Sequence, residues 1–301
     1  MEKKIIDKNS EILFTYDAKL CNPNGDPDEE NRPRMDWEKE INLVSDVRVK
    51  RYIRDYLEDI GQKIYVRKIE GKSEKPEKVL DATAKEKNTE VDKLDVLDTF
   101  IDIRLFGATI PIKGRTETYI GPVQFNWGYS LNKVELLEAS ITSHFASDEK
   151  KQQGAIGKDY RVKYSFIAFS GIVSARRAKE TKLTEDDLKF LDRAMKEAIP
   201  LLATRSKIGQ YPRLYMRVEY VDDKTLLGDL RDYIKLIEVV EKPRKIEDVQ
   251  LDITDLAEFL HKNKDIISKI YYFKHPELCL VCGGNVVDFK DTFGTFELEE
   301  V

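Results

Sequence analysis

The pattern of apolar and polar residues predicts four strands. From Glu11 to Leu20 every second residue is apolar, which is the period of a strand with one buried face. The same alternation predicts strands over Tyr160–Val173 and Leu214–Tyr220, and a shorter run predicts one over Tyr119–Trp127. These four segments lie far apart in the chain, so other elements must connect them.

Helical periodicity predicts the main connections. Apolar residues recur at helical spacing over Ser45–Ile60, where Ser45 is a suitable N-cap and Gly61 can close the helix in the left-handed conformation. A second helix is predicted over residues 184–204, with Asp187 at the capping-box position. A further helix is predicted over Leu94–Leu105.

The order of these elements predicts a mixed fold. Strand, helix, strand, strand, helix and strand is the ferredoxin-like βαββαβ order that RNA-recognition modules use. We therefore predict an α+β protein with an RNA-recognition-like palm over residues 1–221. Insertions at about 61–118 and 128–158 interrupt this palm.

The two insertions differ in composition. Residues 67–95 are dense in Lys and Glu and show little periodicity, which favours a mobile segment or an irregular hairpin. Residues 134–157 end in polar residues and two glycines between two strand patterns. That arrangement predicts a protruding hairpin.

Residues 222–301 form an acidic C-terminal segment. Periodicity predicts helices over Leu226–Val240 and Leu251–Ile270. We therefore expect a partly helical segment that packs on the palm, with no predicted place in the sheet.

Length and composition narrow the class of protein. At 301 residues the chain can form one domain with large insertions, or two domains. It is 41% hydrophobic and 36% charged, and its apolar runs are far too short to span a membrane. The N-terminal residues carry charges on both sides of one apolar pair, so we expect no signal peptide. Three cysteines, an odd number, favour a reducing cytoplasm over a disulfide framework.

The net charge of −5 hides an uneven distribution. Residues 218–301 hold 11 Lys and Arg against 19 Asp and Glu, which leaves 40 against 37 in the first 217 residues. Thr204–Arg217 contains four cations and no acid, and Lys158–Lys179 contains six cations and one acid. Such patches can bind a polyanion along one face, although they also arise by chance.

A long loop, Cys21–Asp36, follows the first predicted strand. It begins with Asn22, Pro23, Asn24 and Gly25, which are strong turn formers, so its backbone is sharply folded. The loop then carries three aspartates and two arginines: Asp26, Asp28, Asp36, Arg32 and Arg34. A long, stiffened and charged loop at a strand end is where a scaffold usually places its function.

The segment T-R-S-K-I-G-Q directly follows the second helix. Arg205, Ser206, Lys207 and Gln210 offer cations, a hydroxyl and an amide that can hold phosphate and sugar oxygens, and Gly209 permits close backbone approach. A basic helix C-terminus that complements the helix dipole explains the same residues equally well.

Metal and redox chemistry are weakly supported. Asp26, Asp28 and Asp36 could bind a divalent cation, but they lack the spacing of an EF-hand loop, so local turns and ion pairs with Arg32 or Arg34 are favoured. Cys279-x-x-Cys282 is half of a zinc site or a redox pair, and no second CxxC follows. The chain has no P-loop, no G-x-G-x-x-G after a strand and no nucleophile elbow, so we expect neither a cofactor nor a catalytic site.

Five short motifs resemble one known family. N-P-N-G-D-P-D, N-R-P-R-M-D, F-G-A, G-P-V-Q and T-R-S-K-I-G-Q occur in this order between residues 22 and 210. Together they resemble the backbone subunit of the type I CRISPR surveillance complex, Cascade. This is the seventh Cas protein family, here closest to its type I-B form and near type I-C. The resemblance covers about residues 12–220.

The resemblance implies a function. Several copies would stack head to tail along one CRISPR RNA as a helical filament, joined by other Cascade subunits, in antiviral defence. The guide would then pair with target DNA, so that base pairing supplies the sequence specificity. Neither catalysis nor a membrane would be involved.

The resemblance also implies finger and thumb elements and a set of RNA contacts. The insertion at about 61–118 would be finger-like, and the hairpin within 128–158 would be the thumb, ending at Ile156 and Gly157. The residues expected to contact the guide RNA are Asn22, Asn24, Arg32, Arg34, Gln124, Arg205, Ser206, Lys207 and Gln210, with Lys50 and Arg51 added for their position on the first helix.

Two other functions stay open. Backbone subunits of type III complexes share this fold and cut target RNA with an aspartate after the first strand, where Asp26 stands. The motifs here resemble type I members, which lack that activity. A stand-alone module that binds single-stranded RNA is the simpler alternative.

Overall fold

The computed structural model describes residues 4–112, 115–142 and 156–301. Within these ranges the chain forms eighteen strands and eight helices. The strands are β1 (Ser10–Cys21), β2 (Gly25–Asp26), β3 (Arg32–Pro33), β4 (Met35–Asp36), β5 (Ile41–Val44), β6 (Gly107–Ile112), β7 (Arg115–Ile120), β8 (Val123–Phe125), β9 (Gly128–Ser130), β10 (Leu136–Thr142), β11 (Ile156–Val173), β12 (Gln210–Tyr220), β13 (Lys235–Glu238), β14 (Val249–Asp252), β15 (Ile267–Lys274), β16 (Leu280–Cys282), β17 (Asn285–Val287) and β18 (Leu298–Glu300). The helices are α1 (Asp46–Asp59), α2 (Pro76–Glu86), α3 (Val96–Thr99), α4 (Ile101–Phe106), α5 (Ala175–Thr181), α6 (Glu185–Leu201), α7 (Thr254–Lys262) and α8 (Phe289–Phe293).

One sheet of ten strands organises the molecule. Its centre is β12–β1–β11, with β1 antiparallel to both neighbours. Beyond β11 the sheet continues through β9 and β5 to β4, while β8 and β10 pair with other stretches of β11. On the opposite side β15 pairs with β12, and β18 runs parallel to β15. The three long predicted strands are therefore confirmed, and they are neighbours.

Strand β1 is buried on both faces. Ile12, Phe14 and Tyr16 belong to a core formed with α1 and α6, while Leu13 points into a second core on the other face. The prediction of a strand with one buried face is therefore wrong, because residues after 221 cover the face that would otherwise be solvated.

The two main helices lie where periodicity predicts them. Gly61 follows α1 with a φ of +86°, and Thr184 caps α6 in a complete capping box with Asp187. The prediction for Ser45 is only half right. It is the N-cap residue by position, but its side chain makes no bond to the helix and its hydroxyl donates to Asn24 Oδ1 (2.9 Å) instead.

The first insertion is more ordered than its composition suggests. Residues 67–95 contain helix α2, whose Val79 and Leu80 pack into a third core with Phe100 and Ile103. A few well-placed apolar residues define this face even though Lys and Glu surround them. The predicted helix Leu94–Leu105 is divided into α3 and α4, because Phe100 has extended φ and ψ angles.

The strand predicted over Tyr119–Trp127 is also divided. Gly121 and Pro122 end β7, which pairs with β6, and β8 then pairs with β11. A Cβ on Gly121 would lie 2.4 Å from the Gly107 nitrogen, so the F-G-A and G-P-V-Q motifs meet through their backbones.

The C-terminal segment is partly helical as predicted but contains more strand than helix, and the two predicted helices do not form over their predicted ranges. Leu226–Val240 forms a single 3-10 turn at Leu230–Tyr233 and then β13, and Leu251–Ile270 contains α7 between the ends of β14 and β15. Apolar residues that fit a helical spacing here lie instead in the strands of a small sheet, β13–β14–β16–β17, and in the edge strands of the main sheet. No helix in the described part of the chain is long and apolar enough to cross a membrane.

The predicted protruding hairpin is present at its base. Strand β10 pairs with the first residues of β11, with Ile141 opposite Gly157. The tip of the predicted thumb, residues 143–155, lies outside the described residues.

Candidate nucleic-acid interface

The loop after β1 and the turn after α6 form one surface. The Asn22 amide donates to the Ser206 carbonyl (2.9 Å), and the Lys19 amide donates to the Gly209 carbonyl (2.8 Å). The Lys207 ammonium donates to the backbone carbonyl oxygens of Asn22 (2.5 Å) and Pro23 (3.1 Å). We call the surface formed by residues 21–36 and 204–210 the loop-turn surface.

Gly209 is required by this contact. Its φ is +100°, and a Cβ would lie 2.4 Å from the Lys19 carbonyl oxygen. The close backbone approach that the sequence suggests for this glycine is therefore made to Lys19 of the same chain.

The loop is tied down by its own polar side chains. Asn24 Oδ1 accepts a hydrogen bond from the Ser45 amide (2.9 Å), and Asn22 Nδ2 donates to the Asn31 carbonyl (2.7 Å). Asp26 pairs with Arg34 at 2.7 Å and accepts from the Asp28 amide. This confirms the favoured use of Asp26 in a local turn and an ion pair.

Three predicted contact residues form internal bonds beside this surface. The Lys50 ammonium donates to Gln124 Oε1 (2.9 Å), and Gln210 accepts from the Tyr52 hydroxyl (3.1 Å) and donates to the Lys207 carbonyl (2.8 Å). Lys50 and Gln210 are buried. These side chains join α1 to the turn and to β8.

Arg205 and Ser206 line a cleft of about 330 Å³ on one side of the turn. The Arg205 side chain is 61% exposed and pairs with Asp159 at 3.0 Å. On the same cleft Tyr160 accepts a hydrogen bond from Arg32 Nη2 (3.1 Å), and the Arg32 guanidinium carbon lies 4.6 Å from the Tyr160 ring centroid.

A second cleft of about 440 Å³ lies on the other side of the turn. It is lined by Arg48, Arg51, Asp55, Glu58, Lys68, Leu202, Thr204 and Lys207. Arg51 is paired with Asp55 at 2.8 Å, whereas Arg48 Nε and Nη2 are buried with no hydrogen-bond partner among the described residues. The Arg48 guanidinium carbon lies 4.1 Å from the Tyr52 ring centroid.

Sequence reasoning did not single out Arg48, because a solvated helix face explains its charge as well. Its position opposite Lys207 is visible only in the fold. Burial, together with the positive charge of Arg48, lowers the pKa of Lys207 to about 8. The second cleft therefore holds two close cations.

The two basic segments found in the sequence differ from expectation. Arg213 and Arg217 are buried and pair with Asp17 (2.8 Å) and Asp192 (2.5 Å). These two arginines connect secondary-structure elements and offer no charge to a ligand. The predicted basic patch over Thr204–Arg217 is therefore reduced to Arg205 and Lys207. Five cations between Lys158 and Lys179 also have acidic partners: Lys158 with Glu138, Arg161 with Asp159, Lys163 with Glu135, Arg177 with Glu180 and Lys179 with Asp223.

The metal-binding possibilities gain no support from the geometry. Within the residues described, no three His, Cys, Asp or Glu side chains come together as a metal-binding group. Cys279 and Cys282 are half-buried free thiols, and Cys21 is buried.

The fold is shared with subunits of known ribonucleoprotein assemblies. A chain of a solved "CRISPR RNA-guided surveillance complex, pre-nicking" superposes with a TM-score of 0.53 and 13% identity, covering 97% of this chain and 96% of that one. A chain of another "CRISPR RNA-guided surveillance complex" gives a TM-score of 0.50 and 13% identity, covering 97% and 94%. The class of fold is therefore a mixed α/β fold found in such complexes.

The sequence comparison gives the family. Residues 8–254 match the family described as CRISPR-associated protein Cas7. The protein "CRISPR-associated protein Cas7" of Haloferax volcanii is 36% identical over 306 residues, covering 92% of this chain and 90% of that protein. The chain belongs to the Cas7 family, which confirms the resemblance of the five motifs.

Proposed function

We propose that this chain is a non-catalytic backbone subunit of a type I Cascade complex. Copies bind head to tail along CRISPR RNA in the cytoplasm, other Cascade subunits complete the complex, and the guide pairs with target DNA in antiviral defence. Membership of the Cas7 family supports this assignment.

One observation of the structure carries the proposal. Many cations of the chain are neutralised by nearby acids, as Arg217 is by Asp192. Around the turn the pattern changes: Arg205 is exposed, and Arg48 and Lys207 have no acidic partner among the described residues. An exposed arginine with one acidic partner lies on one side of the turn, and two cations without an acidic partner lie on the other. Such a set is suited to bind a polyanion backbone.

The sheet order supports a ferredoxin-like palm. Numbered as predicted from the sequence, the strands lie in the order fourth, first, third, second, which here is β12, β1, β11 and β8. In this proposal the insertion at 61–118, with its own small core, is the finger, and the hairpin within 128–158, which ends at Ile156 and Gly157, is the thumb.

The predicted contact residues divide into two groups. Arg32, Arg34, Arg51, Arg205, Ser206 and Lys207, together with Arg48, face the clefts or solvent and would contact phosphates and riboses. Asn22, Asn24, Lys50, Gln124 and Gln210 would act chiefly by holding the loop, the turn and α1 in place. Phosphate contacts position the guide and leave sequence reading to base pairing.

Head-to-tail assembly requires two different surfaces on each copy. Such a contact does not close on itself and therefore gives a filament whose length the RNA sets. Mass photometry of the chain, co-expressed with its partner subunits where needed, tests this on CRISPR RNAs of stepped spacer length. We expect masses that rise by one 35.0 kDa unit per fixed number of added nucleotides. One copy per RNA at every length would contradict the proposal and favour a simple RNA-binding module.

The non-catalytic part of the proposal has its own test. Assembled complex is incubated with matched target RNA and Mg²⁺, with the native chain and with Asp26→Ala. Because Asp26 is engaged by Arg34 at 2.7 Å, we expect both samples to leave the RNA intact. Product that forms with the native chain and disappears with Asp26→Ala would establish a ribonuclease.

A further inference from the structure

Trp127 is a large aromatic residue held at the surface. It lies between β8 and β9 and is 44% exposed. Its amide donates to Asn126 Oδ1 (2.8 Å), and its carbonyl accepts from Arg231 Nη1 (2.7 Å). Arg231 is itself buried and paired with Asp229. An exposed indole whose backbone is fixed on both sides loses little conformational freedom when it binds a ligand.

A cation lies beside this ring. The guanidinium carbon of Arg34 is 5.8 Å from the Trp127 ring centroid, and Asp26 holds the same guanidinium at 2.7 Å. Trp37 provides a contrast within the chain. It is 66% exposed on the turn after β4, and no cation–ring contact involves it in the parts of the chain that the structure describes.

The ring is connected to the phosphate-facing turn through the loop backbone. The Arg34 amide donates to the Asn24 carbonyl (3.1 Å), and the Asn22 amide donates to Ser206 (2.9 Å). Two residues of chain span at most roughly 7 Å, which bounds the separation of Asn22 and Asn24. The aromatic side chain is thus joined to the same surface that carries Arg205.

We propose that Trp127 and Arg34 form a stacking platform for an unpaired nucleobase of the bound RNA, an inference that rests on the proposed function. Every base presents a π-face, so stacking on an aromatic ring tolerates any sequence. A neighbouring guanidinium adds a second planar surface and favours the sugar-phosphate backbone nearby. Phosphates held at the turn and a base held at Trp127 together hold the RNA strand more firmly than either contact alone.

The chain has only two tryptophans, so fluorescence tests the platform directly. In Trp37→Phe, Trp127 is the remaining indole, and RNA should quench its emission with the same midpoint as the anisotropy of end-labelled RNA. The matched control, Trp127→Phe, reports Trp37 alone and should show no saturable quenching. Quenching only of Trp37 would overturn the assignment.

Affinity measurements test the energetic role. Trp127→Ala should weaken RNA binding about tenfold for all sequences, whereas Trp127→Phe, which keeps a π-face, should bind almost as the native chain does. The salt dependence of binding should not change, because no phosphate contact is lost. A reduced salt slope in Trp127→Ala would mean that the residue acts through phosphate contacts and would refute stacking.

Failures of the two proposals are distinguishable. RNA that does not bind the native chain would overturn both the proposed function and the platform. RNA that binds without quenching Trp127 would overturn the platform alone, and the exposed indole would then be assigned to a contact with another protein.

Discussion

Arg205 and Lys207 stand two positions apart in one motif, yet their environments differ. Arg205 is exposed and reaches Asp159 across a cleft. Lys207 is half-buried, donates to two backbone carbonyls and faces Arg48 in the other cleft. Two cations that look equivalent in the sequence should therefore respond differently to salt and to pH.

Arg205→Ala should weaken RNA binding equally for all sequences. A phosphate contact releases a counterion, so its loss should reduce the slope of log K against log salt by about 0.7. Fluorescence anisotropy from low to moderate salt measures that slope. Arg193→Ala, an exposed arginine of α6 paired with Glu197, is the control and should bind as the native chain does. A loss that depends on base sequence would contradict a phosphate contact.

RNA binding should weaken as the pH rises through about 8. A phosphate near Lys207 raises its pKa above the value of about 8 in the free chain, so binding above that pH requires proton uptake. The affinity should fall by up to tenfold per pH unit there and be constant well below pH 8. Lys207→Arg, whose guanidinium stays charged, should remove this dependence. An unchanged pH profile in Lys207→Arg would exclude Lys207 as its source.

The sequence could not separate the buried arginines from the exposed ones. Arg213 pairs with Asp17, 196 positions away, and Arg217 pairs with Asp192 on a different element. Such neighbours are known only from the sheet register and the helix packing. The motif around Arg205 is local, so the sequence alone could point to the loop-turn surface. Arg48 could not be found in this way, because it meets Lys207 only in the folded chain, where both line one cleft.

At the scale of elements, the contact between β1 and the turn after α6 depends on one glycine. Gly209→Ala places a Cβ against the Lys19 carbonyl in addition to the cost of its positive φ. We expect a loss of roughly 3 kcal/mol in the free energy of unfolding, measured by urea denaturation.

Gly61→Ala is the matched control for this change. Gly61 also has a positive φ, but no atom lies within 4 Å of the added Cβ, so only the conformational cost of about 1 kcal/mol applies. Equal losses in the two variants would show that the contact with Lys19 contributes nothing.

Elements with a long and regular period were predictable, and the others were not. The strands around Phe14 and Phe166 alternate in sequence over ten or more residues, and both form in the structure. Residues 226–240 have apolar spacing that suits a helix, but Lys235–Glu238 pair with β14 instead, an interaction between distant segments that the local pattern does not show. Helix α2 was missed because its short apolar face lies among many Lys and Glu residues.

At the scale of the whole molecule, a buried ion pair connects α6 to the central sheet. Arg217 on β12 and Asp192 on α6 are both almost fully buried, and the Tyr215 hydroxyl also donates to Asp192. Asp192→Ala should destabilise the chain by about 3–5 kcal/mol, because it leaves an unpaired charge in the interior. Asp186→Ala, an exposed acid of the same helix paired with Lys189, should change the unfolding free energy by less than about 1 kcal/mol. Similar urea midpoints for the two variants would contradict this role.

The two large cores lie on opposite faces of the same central strands, so removing the C-terminal segment would expose one of them. Strand β15, from the acidic C-terminal segment, pairs with β12 along nearly its whole length. A chain shortened to residue 221 would leave the outer amides and carbonyls of β12 without partners and bare the apolar face around Leu13. Such an edge is a template for pairing between molecules, so the shortened chain is expected to aggregate where the full chain remains dispersed. We therefore expect the acidic segment to limit disordered self-association in a protein whose proposed task is ordered self-association along RNA.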